Sequence, residues 1–80
     1  MRLKVKVRIE LSSWFRRYSE GKELLEVDIA EGATAEEAVK AAGIPFEEVG
    51  FIVRNNEKID EGLILSEGDR IKLYPYVIGG

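Results

Sequence analysis

Few residues of this chain could do covalent chemistry, and most of the usual candidates are missing. Its 80 residues include no histidine and no cysteine. That removes the commonest general base, the commonest transition-metal ligand, the thiolate nucleophile and any disulfide. Carboxylates are plentiful, and the adjacent pair Glu36 and Glu37 invites reading as a catalytic acid and base. Neighbouring residues on a helix do not face each other, however. The run Thr34-Ala35-Glu36-Glu37 instead has the spacing of a capping box, in which Thr34 and Glu37 satisfy each other's backbone N–H groups. What remains is the closing stretch Tyr74-Pro75-Tyr76-Val77-Ile78-Gly79-Gly80. Gly79 and Gly80 carry no side chains, so a final carboxylate there can enter a slot where any Cβ would clash. Tyr76 to Gly80 would reach roughly 16–18 Å fully extended. Taken alone, such an ending reads more readily as a frayed terminus than as a reactive one.

The composition narrows the function classes. The formal charge is −3, with both signs abundant and interspersed. This argues against general nucleic-acid binding. Lys4, Lys6, Arg8, Arg16 and Arg17 crowd the first quarter, while Glu20 to Glu48 is mostly acidic. Two surfaces of opposite sign can orient a protein partner. No apolar run approaches the ~20 residues that span a bilayer, and the alternating start is not a signal peptide. The expectation is a cytoplasmic protein with no membrane contact, folded as a single domain over residues 1–80 with a flexible tail from about residue 76.

The elements that must hold the tail follow from periodicity. Leu3, Val5, Val7 and Ile9 alternate with charged residues, the mark of a strand with one buried face. Leu11 to Gly21 breaks the alternation. Trp14, Phe15 and Tyr18 permit a helical turn there, but the expectation is a loop whose aromatics cap the end of the core. Lys22 to Ile29 alternates again and predicts an antiparallel neighbour of the first strand. After the Thr34 cap, Ala35, Ala38, Val39 and Ala42 form one apolar stripe of a short helix, which Gly43 and Pro45 end. Phe46 and Val49 should turn inward. Phe51 to Asn55 predicts a third strand, Asn55-Asn56 a tight turn, Glu57 to Ile59 a short return strand, and Arg70 to Tyr74 the last strand. Leu63, Ile64 and Leu65 supply loop anchors. The last strand should lie beside the first and parallel to it. The fold class is α+β, a mixed sheet of four to five strands on one main helix.

Alternation also predicts a docking face. If Ile71 and Leu73 face the helix, Lys72 and Tyr74 face away. Ile52 is assigned inward because it shares its face with Arg54, whose stem can cover the edge of the core. Phe51, Val53 and Tyr74 then form an outer apolar patch, beside Lys6 and Arg8; the opposite register, which the strand's polarity leaves open, turns Phe51 and Val53 inward and exposes only Tyr74. Such a patch rimmed by positive charge reads as a partner site, and Tyr76 at the base of the tail joins it.

This order of strand, strand, helix, strand, strand, ending in Gly-Gly, resembles the ubiquitin-like β-grasp fold. More narrowly it resembles the prokaryotic sulfur-carrier family, which includes the molybdopterin synthase small subunit and the thiamine-pathway carrier. The resemblance rests on the Leu3-to-Ile9 strand, the helix entry Glu31-Gly32-Ala33-Thr34, and Asn55-Asn56 where the family often has Asn-Gly. It rests further on the turn Glu67-Gly68-Asp69 and the ending Pro75-Tyr76-Val77-Ile78-Gly79-Gly80. It implies a carrier, not an enzyme, that binds no cofactor of its own. A ubiquitin-activating-type adenylyltransferase would spend ATP to adenylate Gly80. A sulfurtransferase would supply sulfur, and the resulting thiocarboxylate would serve a molybdopterin synthase large subunit or a thiazole synthase. Val77, Ile78 and Gly79 would thread the partner's slot. The long Leu11-to-Gly21 connection and Pro75 favour the molybdopterin type. A short helix region and Tyr76, where a second proline is frequent, leave open the thiamine carrier and a protein modifier joined through its C-terminal glycine.

Overall fold

The computed structural model describes residues 3–76. Five strands form one mixed sheet: β1 (Lys4–Leu11), β2 (Leu24–Ala30), β3 (Val49–Arg54), β4 (Glu57–Ile59) and β5 (Arg70–Pro75), in the order β2-β1-β5-β3-β4. Helix α1 (Ala35–Ala41) lies on one face. β1 pairs antiparallel with β2 and parallel with β5, so the two strands richest in inward aliphatics occupy the centre. The parallel pairing of first and last strands agrees with the expectation from sequence. Val5, Val7, Ile9 and Leu11 of β1, and Ile71 and Leu73 of β5, are all buried, as alternation requires.

Helix α1 is short, and its ends are closed by local chemistry. The Glu37 N–H donates to Thr34 Oγ1 at 3.2 Å, and the Thr34 N–H donates to Glu37 Oε1 at 2.9 Å. This is the reciprocal capping box. At the other end Gly43 takes φ 81°, and the N–H groups of Gly43 and Ile44 return to the carbonyls of Lys40 and Val39. That pair of bonds is a Schellman closure, which favours glycine at the left-handed position. Ala35, Ala38 and Val39 are fully buried, so small side chains let the helix lie close to the sheet.

Asn55 and Asn56 both have positive φ and close the β3–β4 hairpin in two residues. Asparagine tolerates that conformation better than other residues with a Cβ. Of the loop anchors, Leu65 is buried and Ile64 is 58% exposed. Phe46 packs against the core at its edge and Val49 is buried in it.

The connection Leu11–Gly21 is more ordered than the expected loop. Ser13–Tyr18 forms a 3₁₀ helix. Its aromatics do not share one side. Phe15 is wholly buried in the core, Tyr18 packs at the core's edge, and Trp14 is 40% exposed. The 3₁₀ repeat of three residues explains this separation, because Phe15 and Tyr18 eclipse while Trp14 lies a third of a turn away.

Candidate functional site

The outer face of the sheet carries the apolar patch. β3 and β5 pair so that Phe51 meets Tyr74, Ile52 meets Leu73, and Val53 meets Lys72. Ile52 and Leu73 are buried, while Phe51, Val53 and Tyr74 lie half-exposed on the opposite face. The Phe51 and Tyr74 rings stack with centroids 4.7 Å apart and planes 13° from parallel. Lys58 Nζ lies 5.0 Å from the Phe51 ring centre, and Lys72 Nζ lies 5.2 Å from that of Tyr74. Two ammonium groups therefore hold cation–π distances over one aromatic pair.

The positive rim is not the one expected from sequence. Lys6 and Arg8 are exposed on the same face but stand at a different level of the sheet. Arg8 is level with Arg70, four residues along β5 from Tyr74, or about 13 Å at the usual rise. Arg8 is engaged by Glu26 at 3.2 Å. Alternation fixes which face a residue takes, but only the register between strands fixes its level. Lys58 and Lys72 replace Lys6 and Arg8 beside the patch.

The last described residues leave from this same end of the sheet. Val49 pairs with Pro75 but Phe51 pairs with Tyr74, so β3 holds one extra residue, Gly50, in a β-bulge. Such bulges re-aim a strand at its end. Tyr76 follows and is 61% exposed. Trp14, Glu47, Glu48, Pro75 and Tyr76 line a groove of about 400 Å³. Glu48 organises its floor. It accepts from Trp14 Nε1 at 3.0 Å, and from the Tyr18 hydroxyl at 2.8 Å to each oxygen. The Tyr18 pKa is pushed above its usual 10.0, first by that hydrogen bond to Glu48 and then by burial and the nearby negative charge. The Arg17 guanidinium lies 3.9 Å from the centre of the Trp14 ring. Sequence reasoning missed this cluster, because Glu48 reaches Trp14 and Tyr18 across 34 and 30 residues.

Val77, Ile78, Gly79 and Gly80 lie outside the described residues. Among the described residues, no three carboxylates come together as a metal ion would need. No described helix is long and apolar enough to cross a membrane.

The five-stranded mixed sheet with one covering helix is a ubiquitin-like β-grasp α+β fold. The family model described as Mut7-C ubiquitin matches residues 1–78, and the chain belongs to that family. Solved structures agree. SAMP1 from Haloferax volcanii is 25% identical, with 94% of this chain and 99% of that chain covered at a TM-score of 0.73. A putative molybdopterin converting factor, subunit 1, from Pyrococcus furiosus is 25% identical, with 91% and 99% covered and a TM-score of 0.69. The BexX/CysO complex of Amycolatopsis orientalis gives 23% identity, 92% and 99% covered and a TM-score of 0.65, and shows the shared fold. No curated protein matches in sequence.

Proposed function

We propose that the chain is a sulfur carrier whose reactive group is the Gly80 carboxylate. The observation that carries this reading is the placement of the Phe51–Tyr74 stack. It lies at the end of the strand that runs through Pro75 toward Gly80. A partner that docks on the stack meets the chain end in the same encounter. The domain is then a handle, and its lack of histidine and cysteine costs it nothing, because the partners supply the catalytic groups.

The chemistry is carboxyl activation. A carboxylate is a poor acyl donor. Within a ubiquitin-activating-type adenylyltransferase, a Gly80 oxygen attacks the α-phosphorus of ATP and pyrophosphate leaves, giving an acyl-adenylate. The terminal sulfur of a sulfurtransferase persulfide then attacks the acyl carbon and AMP leaves. A second thiol cleaves the resulting S–S bond, leaving a thiocarboxylate on Gly80 and a disulfide on the partner. The thiocarboxylate delivers its sulfur in another protein's site. The molybdopterin type is preferred, with a molybdopterin synthase large subunit as recipient. The likeness to the Pyrococcus furiosus converting factor subunit supports that choice. ATP serves the partner, the carrier holds no cofactor, and the setting is the cytoplasm. A second reading, a modifier joined to lysines through Gly80, is favoured by the likeness to the small archaeal modifier protein. Thiazole synthase as recipient is the remaining variant.

The test is ATP–pyrophosphate exchange catalysed by the activating enzyme of the same organism. Exchange should depend on the carrier and vanish when Gly79 and Gly80 are deleted. Exchange indifferent to the deletion would overturn the proposal.

A further inference from the structure

Gly50 occupies the bulge of β3, and its reason for being glycine differs from that of the other described glycines. Gly32, Gly43 and Gly68 have positive φ and open space where a Cβ would stand. Their need is conformational. Gly50 does not have a positive φ, so its backbone is one that any residue adopts. Its need is room. A Cβ at Gly50 would stand 2.8 Å from the Pro75 carbonyl oxygen, 2.9 Å from the Pro75 carbonyl carbon and 2.9 Å from the Tyr76 nitrogen. Those three atoms belong to one peptide unit, the last before the tail. All are backbone, so no side-chain rotation relieves the contact. Gly62 offers the contrast, since a Cβ there would meet only the Asp60 carboxylate, which can swing away.

The Pro75–Tyr76 peptide therefore rests on the bare Cα of Gly50. The neighbouring constraints sharpen the seat. Pro75 has a fixed φ and no N–H to donate, and it pairs with Val49 on the residue before the bulge. Tyr76 then stands between two grooves, one lined by Trp14 and Glu48, the other by Phe46, Gly50 and Ile59. We propose that Gly50 is a positioning residue for the Gly80 carboxylate, holding the exit direction of the tail through the Pro75–Tyr76 peptide; the proposal rests on the carrier reading above.

An alanine at this position must push the peptide from 2.8 Å toward the ~3.4 Å of ordinary contact, about 0.6 Å at the root of the tail. Misplacement of a reacting group by about 1 Å costs on the order of a hundredfold in rate. The residues after Tyr76 absorb part of this, so Gly50→Ala should lower kcat for adenylation about tenfold. KM for the carrier should stay within about twofold, since the Phe51–Tyr74 face is untouched.

The test uses the full chain in two arms. By ¹⁵N relaxation, the Tyr76 amide of the unaltered chain should be as ordered as that of Leu73, and Gly50→Ala should loosen Tyr76 while leaving Leu73 unchanged. Steady-state kinetics with the activating enzyme and ATP should show the kcat loss. The loss should fall on kcat with KM held, and should appear with Leu73 still ordered, a split that a merely destabilising substitution would not produce. A disordered Tyr76 in the unaltered chain, or a folded Gly50→Ala chain with unchanged kcat, would overturn the inference. Should the alanine chain not fold, the relaxation of the unaltered chain decides, and a Tyr76 amide less ordered than that of Leu73 overturns it. If the unaltered chain is not adenylated at all, the carrier reading fails and the relaxation arm still judges the seat.

Discussion

Replacing Phe51 or Tyr74 by alanine should separate what the aromatic stack does for folding from what it does for a partner. An 80-residue domain has roughly 4–12 kcal/mol of stability to lose, at the usual density per residue. A fully buried phenylalanine costs about 3–5 kcal/mol on truncation. Phe51 and Tyr74 are only half-buried, and their inward neighbours Ile52 and Leu73 hold the core without them. Each single substitution should therefore cost about 1.5–2.5 kcal/mol, with the chain still folded. The 4.7 Å stacked geometry adds a coupling of about 0.5–1.5 kcal/mol between them. The double substitution should cost less than the sum of the singles by that amount. The assay is urea unfolding of the four chains, followed by titration of each folded chain against the activating enzyme. At a docking centre each alanine should weaken binding by about 2 kcal/mol or more, roughly thirtyfold. Binding unchanged within about twofold would refute the docking role. A stability loss above about 4 kcal/mol would refute the half-buried geometry.

Other outcomes follow from single sites. Phe15→Ala should lose about 3–5 kcal/mol in urea unfolding, because the ring is completely enclosed although it lies in a connection. Thr34→Ala opens the capping box and should cost about 0.5–2 kcal/mol, with the loss concentrated in amide protection across α1. Tyr18 has its pKa raised by its hydrogen bond to Glu48, so its contribution to stability is complete below the unfolded value of 10.0 and is lost as pH rises through the higher folded value. Tyrosinate absorbance should show a late-ionising hydroxyl, and Tyr18→Phe should remove it together with its share of the alkaline loss of stability.

The parts of the fold legible in the sequence are those governed by local chemistry or by face. The Thr34–Glu37 box, the Gly43 stop and the Asn55-Asn56 turn each depend on a few adjacent residues, and each forms as read. The face of Ile52 rested in sequence only on the long stem of Arg54 beside it, and the strand's polarity left the opposite register open. In the structure Arg54 is half-buried there and paired with Asp69 at 3.0 Å. The level of a residue along the sheet was not legible. Lys6 and Arg8 share the face of Tyr74, but the parallel register of β1 and β5 sets them far from it. The Trp14–Glu48–Tyr18 cluster was hidden for a related reason, since nothing local couples a 3₁₀ turn to a carboxylate 30 residues on. Gly50 stands just before the strand predicted from Phe51, and nothing local marks it. Its requirement for room appears only once Pro75 and Tyr76 are laid beside it.

The central claim is that Gly80 carries sulfur, and intact-mass spectrometry tests it most directly. The full chain, incubated with its activating enzyme, ATP and a persulfide-bearing sulfurtransferase, should gain the mass difference between sulfur and oxygen. Fragmentation should place that gain on Gly80. A chain that forms the adenylate yet never acquires sulfur, and is recovered instead in isopeptide linkage to lysines, would contradict the account and leave the modifier reading in its place.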